Sequence, residues 1–268
     1  MDKTKIQWTD ATINFWQGCK KVSEGCKFCY MYRQKNMNNQ DGSIVSKISE
    51  KRFYEALEWK EPRKIFTCSW SDFFIDEADD WRDEAWDVIR KTPQHTWQIL
   101  SKRPERILQC LPADWGTGWD NVWLGTSIEN QKNFQRAITL SKIPSKIRFI
   151  SAEPLIEELN LLQMHEGRLV MDDFHWCIVG GESGNEWGKY LYRPCEKKWI
   201  EKINTDLKNT PVKVFVKQMG TYLAKEMQLT DKHGGDAEEW DNHLFVREFP
   251  SVQDAILLPN ISEKLVLN

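Results

Sequence analysis

Residues 13–30 read INFWQGCKKVSEGCKFCY: a short apolar and aromatic run, then a polar loop carrying Cys19, Cys26 and Cys29. The run, 13–16, has the length and side chains of a buried strand. The loop is rich in glycine and lysine rather than apolar residues. Its cysteines are therefore expected to do chemistry, not to fill a core. Three thiolates in one loop can hold a metal ion or an iron–sulfur cluster and leave one coordination position open.

Six further runs of the same kind follow, at 65–69, 96–100, 121–125, 148–151, 176–180 and 212–216. Between them the apolar residues recur at helical spacing. Trp81, Ala85, Val88 and Ile89 share one face. Pro104 opens a segment bearing Ile107, Leu108 and Leu111. Phe134, Ala137 and Ile138 repeat the pattern, as do Trp199, Ile200, Ile203 and Leu207. Strands that are apolar throughout, alternating with amphipathic helices, predict a parallel sheet covered on both faces. Seven such units favour a partial or near-complete (β/α) barrel over a doubly wound open sheet. The rhythm covers residues 1–220. Residues 36–43 read as a loop. Residues 221–268, with KHGGD at 232–236, read as a C-terminal tail or cap.

The chain has 268 residues and a net charge of −3, which argues against wholesale binding of a phosphate backbone and leaves nucleic acid only a local patch. No apolar run approaches the roughly 18–20 residues of a membrane span, and the N-terminus lacks a secretory pattern. Seven cysteines are an odd set for a disulfide framework, so a reducing, cytoplasmic setting is expected. Of these, Cys68, Cys110 and Cys177 sit in apolar contexts and read as packing. The 14 tryptophans read mainly as core, with a stacking surface as the lesser alternative.

In parallel α/β folds the chemistry gathers where strands end. Here those ends offer Ser69, Ser71 and Asp72; Ser101, Lys102 and Arg103; Thr126, Ser127, Glu129 and Asn130; Ser151 and Glu153; Glu182 and Ser183; Lys217 and Gln218. All are expected to line one mouth. The glycines at 180, 181 and 184 fit either a phosphate cradle or a tight turn.

A cysteine triad after the first strand of a (β/α) barrel, with Phe28 just before its last member, resembles the radical S-adenosylmethionine (SAM) superfamily. Its first gap is six residues where that superfamily usually has three. The stretches IFTCSWSDFF, HTWQILSKRP, NVWLGTSIEN, RFISAEPL, CIVGGESG and VFVKQMG resemble a phage-associated three-cysteine branch, a domain of unknown function. The resemblance implies a [4Fe–4S] cluster on Cys19, Cys26 and Cys29, with SAM at its open iron. It implies cofactor contacts from Phe28, Ser69, Asp72, Lys102, Ser127 and Glu129. Glu153, Glu182 and Lys217 are left for catalysis on the substrate side. The implied partners are a small-molecule or nucleic-acid-linked substrate and an electron donor such as flavodoxin or ferredoxin. The competing expectation is a non-enzymatic zinc or regulatory protein, with His95, His165, His175, His233 or His243 as fourth ligand.

Overall fold

A computed structural model describes residues 4–251. Seven parallel strands form one sheet: β1 (Ala11–Ile13), β2 (Lys64–Thr67), β3 (Thr96–Ser101), β4 (Val122–Ser127), β5 (Ile147–Ala152), β6 (Trp176–Gly180) and β7 (Lys213–Gln218). Their order in the sheet is their order in the chain. A doubly wound sheet reverses direction at a switch point, and this one never does. It winds one way into a curled half-barrel, which excludes the open-sheet alternative. The main covering helices are α1 (Tyr30–Met37), α2 (Asp79–Arg90), α3 (Gln135–Ser141), α4 (Lys197–Leu207) and α5 (Gly220–Glu226).

The two-residue alternation of side chains sorts each strand between two cores. Inside the curl, Phe66, Trp123, Phe149, Trp176, Ile178 and Phe215 pack with Trp8. On the outside, Ile65, Trp97, Ile99, Leu124, Ile150 and Val179 face the helices. Trp176 is central to the inner layer, within about 6 Å of the rings of Trp8, Trp123, Phe149, Phe215 and Phe249. Gly125 lets Phe149 lie flat across β4, since a Cβ there would stand 2.3 Å from its ring.

Strands β1 and β7 do not pair with each other. The C-terminal segment covers that seam. Val216 N–H donates to Val246 O and Glu248 N–H to Val214 O, each at 2.8 Å. Arg247 reaches Gln7 Oε1 at 2.9 Å, and Gln7 in turn donates to Gly235 O at 2.7 Å. Residues 246–248 thus pair with β7 at the sheet edge; residues 252–268 fall outside the described residues. Among the described residues no helix is long and apolar enough to cross a membrane.

Three local readings change. The first strand lies at Ala11–Ile13, not 13–16. Phe15 and Trp16 turn outward into an aromatic cluster with Phe53, Phe73 and Trp97, and Trp16 pairs in a short antiparallel bridge with Lys47. The 36–43 loop is shorter by two residues because α1 runs on to Met37. The segment after Pro104 makes only one α turn, Pro104–Ile107, before a 3-10 turn, and Leu108 is 64% exposed.

Trp176→Ala is expected to cost about 3–5 kcal/mol, the usual range for emptying a buried aromatic site. Urea unfolding followed by fluorescence and circular dichroism checks this.

Candidate cluster-binding site

The cysteine loop leaves β1 and crosses the mouth of the half-barrel. Its entry is fixed at Gly18, which adopts φ +86°; a Cβ there would lie 2.0 Å from Ile44 O. Gly18 N–H donates to Trp70 O at 3.0 Å, and Ser71 Oγ donates to Gly18 O at 2.5 Å. A 3-10 turn at Glu24–Cys26 follows, and α1 begins directly after Cys29. Tyr30 and Tyr32, in the first turn of α1, donate their hydroxyls to Ser69 O and Cys19 O.

Three carboxylate–arginine pairs hold this loop from the strand ends. After β2, Asp72 is buried and accepts from Phe74 N, Ser101 Oγ, Lys102 N and Arg103 Nη1, at 2.8–3.1 Å. Arg103 then donates to Lys20 O at 2.8 Å and points Nη1 at Cys19 Sγ, 3.9 Å away. After β4, Glu129 is fully buried and accepts from Arg136 at 2.8 Å. Its other oxygen takes the Ser23 hydroxyl and, at 3.2 Å, Gly25 N–H. A Cβ at Gly25 would stand 2.6 Å from that oxygen, so glycine is required for the approach. After β6, Glu182 accepts from Arg193 Nη2 at 2.5 Å, Nε at 2.8 Å and N at 2.9 Å. Arg193 also donates to Glu24 O at 2.8 Å and covers the Phe28 ring at 5.5 Å.

Inside the mouth, Lys102 Nζ donates to Ser127 Oγ at 3.0 Å. Lys217 pairs with Glu153 at 2.9 Å, and Ser151 Oγ donates to Glu153 Oε2 at 3.3 Å. Ser69 is bonded to Asn14 from β1's end at 3.2–3.3 Å. The mouth therefore gathers Lys102, Ser127, Glu153 and Lys217 on the sheet's inner face, while Asp72, Glu129 and Glu182 are committed to the loop above. The glycine run settles on the tight-turn reading. Cβ atoms at Gly181 and Gly184 would lie 2.1 Å from Met219 O and 2.0 Å from Leu191 O.

Residues 3–250 match the family described as a protein of unknown function, DUF5131. The chain belongs to that family. No curated protein matches it. Among solved structures, a mutant spore photoproduct lyase with a dinucleoside spore photoproduct is similar over 75% of this chain and 74% of its own, at 12% identity and a TM-score of 0.47.

The donor set of this DUF5131 chain suits an iron–sulfur cluster. All three cysteines are free and only partly covered, whereas Cys68, Cys177 and Cys195 are buried in the core. The Tyr32 hydroxyl is pushed up to about 12, first by burial and then by the charge that Cys19, Cys29 and Cys26 would carry as thiolates. Burial, with Asp72 adding and Arg103 opposing, pushes the Cys19 thiol up to about 12, so a bare thiolate there is disfavoured until a metal cation binds it. A single tetrahedral ion would draw its thiolates to roughly 3.8 Å of one another. Among the described residues no three Cys, His, Asp or Glu side chains converge in that way. The five histidines have other neighbours: His95 lies edge-on to Trp59, His165 is 3.2 Å from Glu166, His175 Nδ1 accepts from Arg148 N–H at 3.1 Å, His233 meets Thr221 at 3.0 Å and His243 meets Glu201 at 2.8 Å.

Sequence reasoning did not single out Arg136 and Arg193, which lie 7 and 11 residues beyond their carboxylates. Only the fold brings them to those carboxylates and, through Arg193 and Glu129, to the loop.

Burial works to raise the Glu129 carboxyl, but Lys102, then Arg136 and the Ser23 hydroxyl, outweigh it and hold the group below the ordinary glutamate range. A carboxyl depressed on folding stabilises above its unfolded pKa, about 4.3 for Glu, and that contribution is lost as pH falls through the folded value. In Glu129→Gln the corresponding part of the acid-side loss is expected to vanish, at a cost in stability near pH 7. Urea unfolding of both proteins from pH 3 to 7 measures this. Parallel curves would contradict it.

Proposed function

We propose that this protein is a radical SAM enzyme whose cluster is carried by Cys19, Cys26 and Cys29. One observation carries the reading: a three-thiol loop is fixed over the mouth of a parallel half-barrel by buried pairs from three separate strand ends. Metal-free loops that only connect elements do not need buried carboxylates beneath them, because each such pair must recover a large desolvation cost. Three thiolates on a site with an open position suit a cluster that binds an external ligand at its fourth iron. A cluster held by these thiolates would supply the one electron that breaks a C–S bond of SAM, giving methionine and a 5′-deoxyadenosyl radical able to take hydrogen from a substrate.

The chain's own residues then divide by position. Arg103, Arg136 and Arg193, with Asp72, Glu129 and Glu182, orient the loop and keep water from its underside. Lys102, beside Ser127, offers its ammonium to a carboxylate on the cofactor side. Phe28 supplies an apolar face near the adenine. Glu153 and Lys217 lie in the same mouth, where a paired carboxylate and ammonium can bind a polar substrate group. A reduced flavodoxin- or ferredoxin-type donor completes the reaction.

Anaerobic reconstitution followed by iron and sulfide analysis tests the reading. About four irons per chain are expected, with 5′-deoxyadenosine released on adding SAM and dithionite. Cys26→Ala is expected to lose the iron while keeping the far-ultraviolet dichroism of the wild type. One zinc per chain, with no iron and no SAM cleavage, would overturn it. Full iron content in Cys26→Ala would remove that residue from the ligand set.

A further inference from the structure

The loop that follows β6 carries an aromatic side chain with no structural role. Trp187 is 86% exposed, and no other described aromatic exceeds 54%. The loop itself is firmly built. Asn185 N–H donates to Tyr190 O at 2.8 Å, and Gly184 N–H donates to Thr221 Oγ1 at 3.1 Å. Glu186 is tied to Lys225 at 2.5 Å and to the Tyr192 hydroxyl at 3.1 Å, and Tyr190 is buried. Gly188, at φ +87°, turns the chain immediately after Trp187. A bonded turn thus holds a large aromatic ring in water with its faces open to stacking.

The surroundings identify the stacking partner. Arg33 of α1 donates to Asn185 at 3.4 Å, placing the Trp187 loop beside the cysteine loop at the same mouth. Residues 20–33 carry Lys20, Lys21, Lys27 and Arg33 against one acid, Glu24, in a chain whose net charge is −3, although Lys20 is paired with Glu77. Lys20, Lys21 and Lys27 are exposed, and Lys189 flanks Trp187 on its own loop. A stacking ring within a basic rim is the arrangement that binds single-stranded nucleic acid: bases stack on the aromatic while cations follow the backbone. A protein partner would more commonly be met by an apolar patch, and Trp187 stands alone among charged and polar neighbours.

We propose that Trp187 and the basic rim of residues 20–33 bind a single-stranded nucleic acid and deliver one of its nucleotides to the mouth. The substrate class of the proposed reaction is then a nucleic-acid strand. The identity of the reaction rests on the radical SAM reading; the binding does not, since it needs neither cluster nor SAM.

The test is fluorescence anisotropy of a labelled mixed-sequence oligonucleotide of roughly 12 nucleotides, titrated with the full chain, metal-free and reconstituted. Binding is expected at low salt, weakening steeply as salt rises. Trp187→Ala is expected to bind about tenfold more weakly and Trp187→Phe within about threefold of wild type, as loss and retention of one stacked base require. Lys27→Ala with Arg33→Ala should flatten the salt dependence. Because Trp187 is solvent-exposed, the melting temperature of its variants should match wild type, which separates lost binding from lost folding. No binding at low salt would overturn the proposal and leave Trp187 to a protein partner. Equal binding by wild type and Trp187→Ala would also overturn it. Binding without deoxyadenosine formation would sink the cofactor reading alone, and deoxyadenosine without binding would sink this inference alone.

Discussion

Three buried carboxylate–arginine pairs beneath the cysteine loop are the constraint on which the site depends. Each carboxylate stands just beyond a strand of the sheet; Arg103 and Arg193 each bind their carboxylate and a backbone carbonyl of the loop, whereas Arg136 binds Glu129 and Ser127 O and leaves Glu129 itself to reach the loop. Asp72–Arg103 holds the start of the loop at Cys19 and Lys20. Glu129–Arg136 underlies Ser23 and Gly25. Glu182–Arg193 grips Glu24 and Phe28. The pairs are spaced along the loop in the same order as their strands lie in the sheet. The curl of the sheet thereby sets the path of the loop, and through it the positions of the thiols.

Buried ion pairs are poor sources of stability, because the desolvation of two charges offsets most of their attraction. They are better at fixing geometry: removing either partner strands the other in a dry setting, so the loop has few alternatives to its observed path. The same pairs place three carboxylates beneath the loop without leaving net negative charge there. Arg103 illustrates this most directly, since it neutralises Asp72 and faces Cys19 Sγ with the same nitrogen.

Much of the fold was legible in the sequence because its strands are short, apolar and separated by helices of clear periodicity. All seven emerged within a few residues of their positions, whereas the alternation left a barrel and a doubly wound sheet both open, and the observed strand order decides for the half-barrel. The first strand was the least legible. Phe15 and Trp16 are as apolar as any strand residue, but they pack outward with Phe53 and Phe73, and no local feature distinguishes that burial from a sheet's. The helix after Cys29 was missed because YMYRQKNM has only a weak apolar face and is held by the Tyr30 and Tyr32 hydroxyls rather than by a periodic stripe. At the site, the residue types and their convergence were readable from strand-end position, whereas their division of labour was not. Asp72, Glu129 and Glu182 look alike in sequence to Glu153. What separates them is an arginine that only the folded chain brings near, and Glu153 has a lysine facing the mouth instead.

The central claim is that the clamped loop presents a cluster with one iron open to SAM. Electron paramagnetic resonance of the anaerobically reconstituted, dithionite-reduced protein, recorded with and without SAM, tests it most directly. The account predicts a reduced iron–sulfur signal whose g-values shift on adding SAM, and which carries hyperfine coupling to isotopically labelled SAM carboxylate or amine. A signal indifferent to SAM, or no iron–sulfur signal in protein that has taken up zinc, would contradict it.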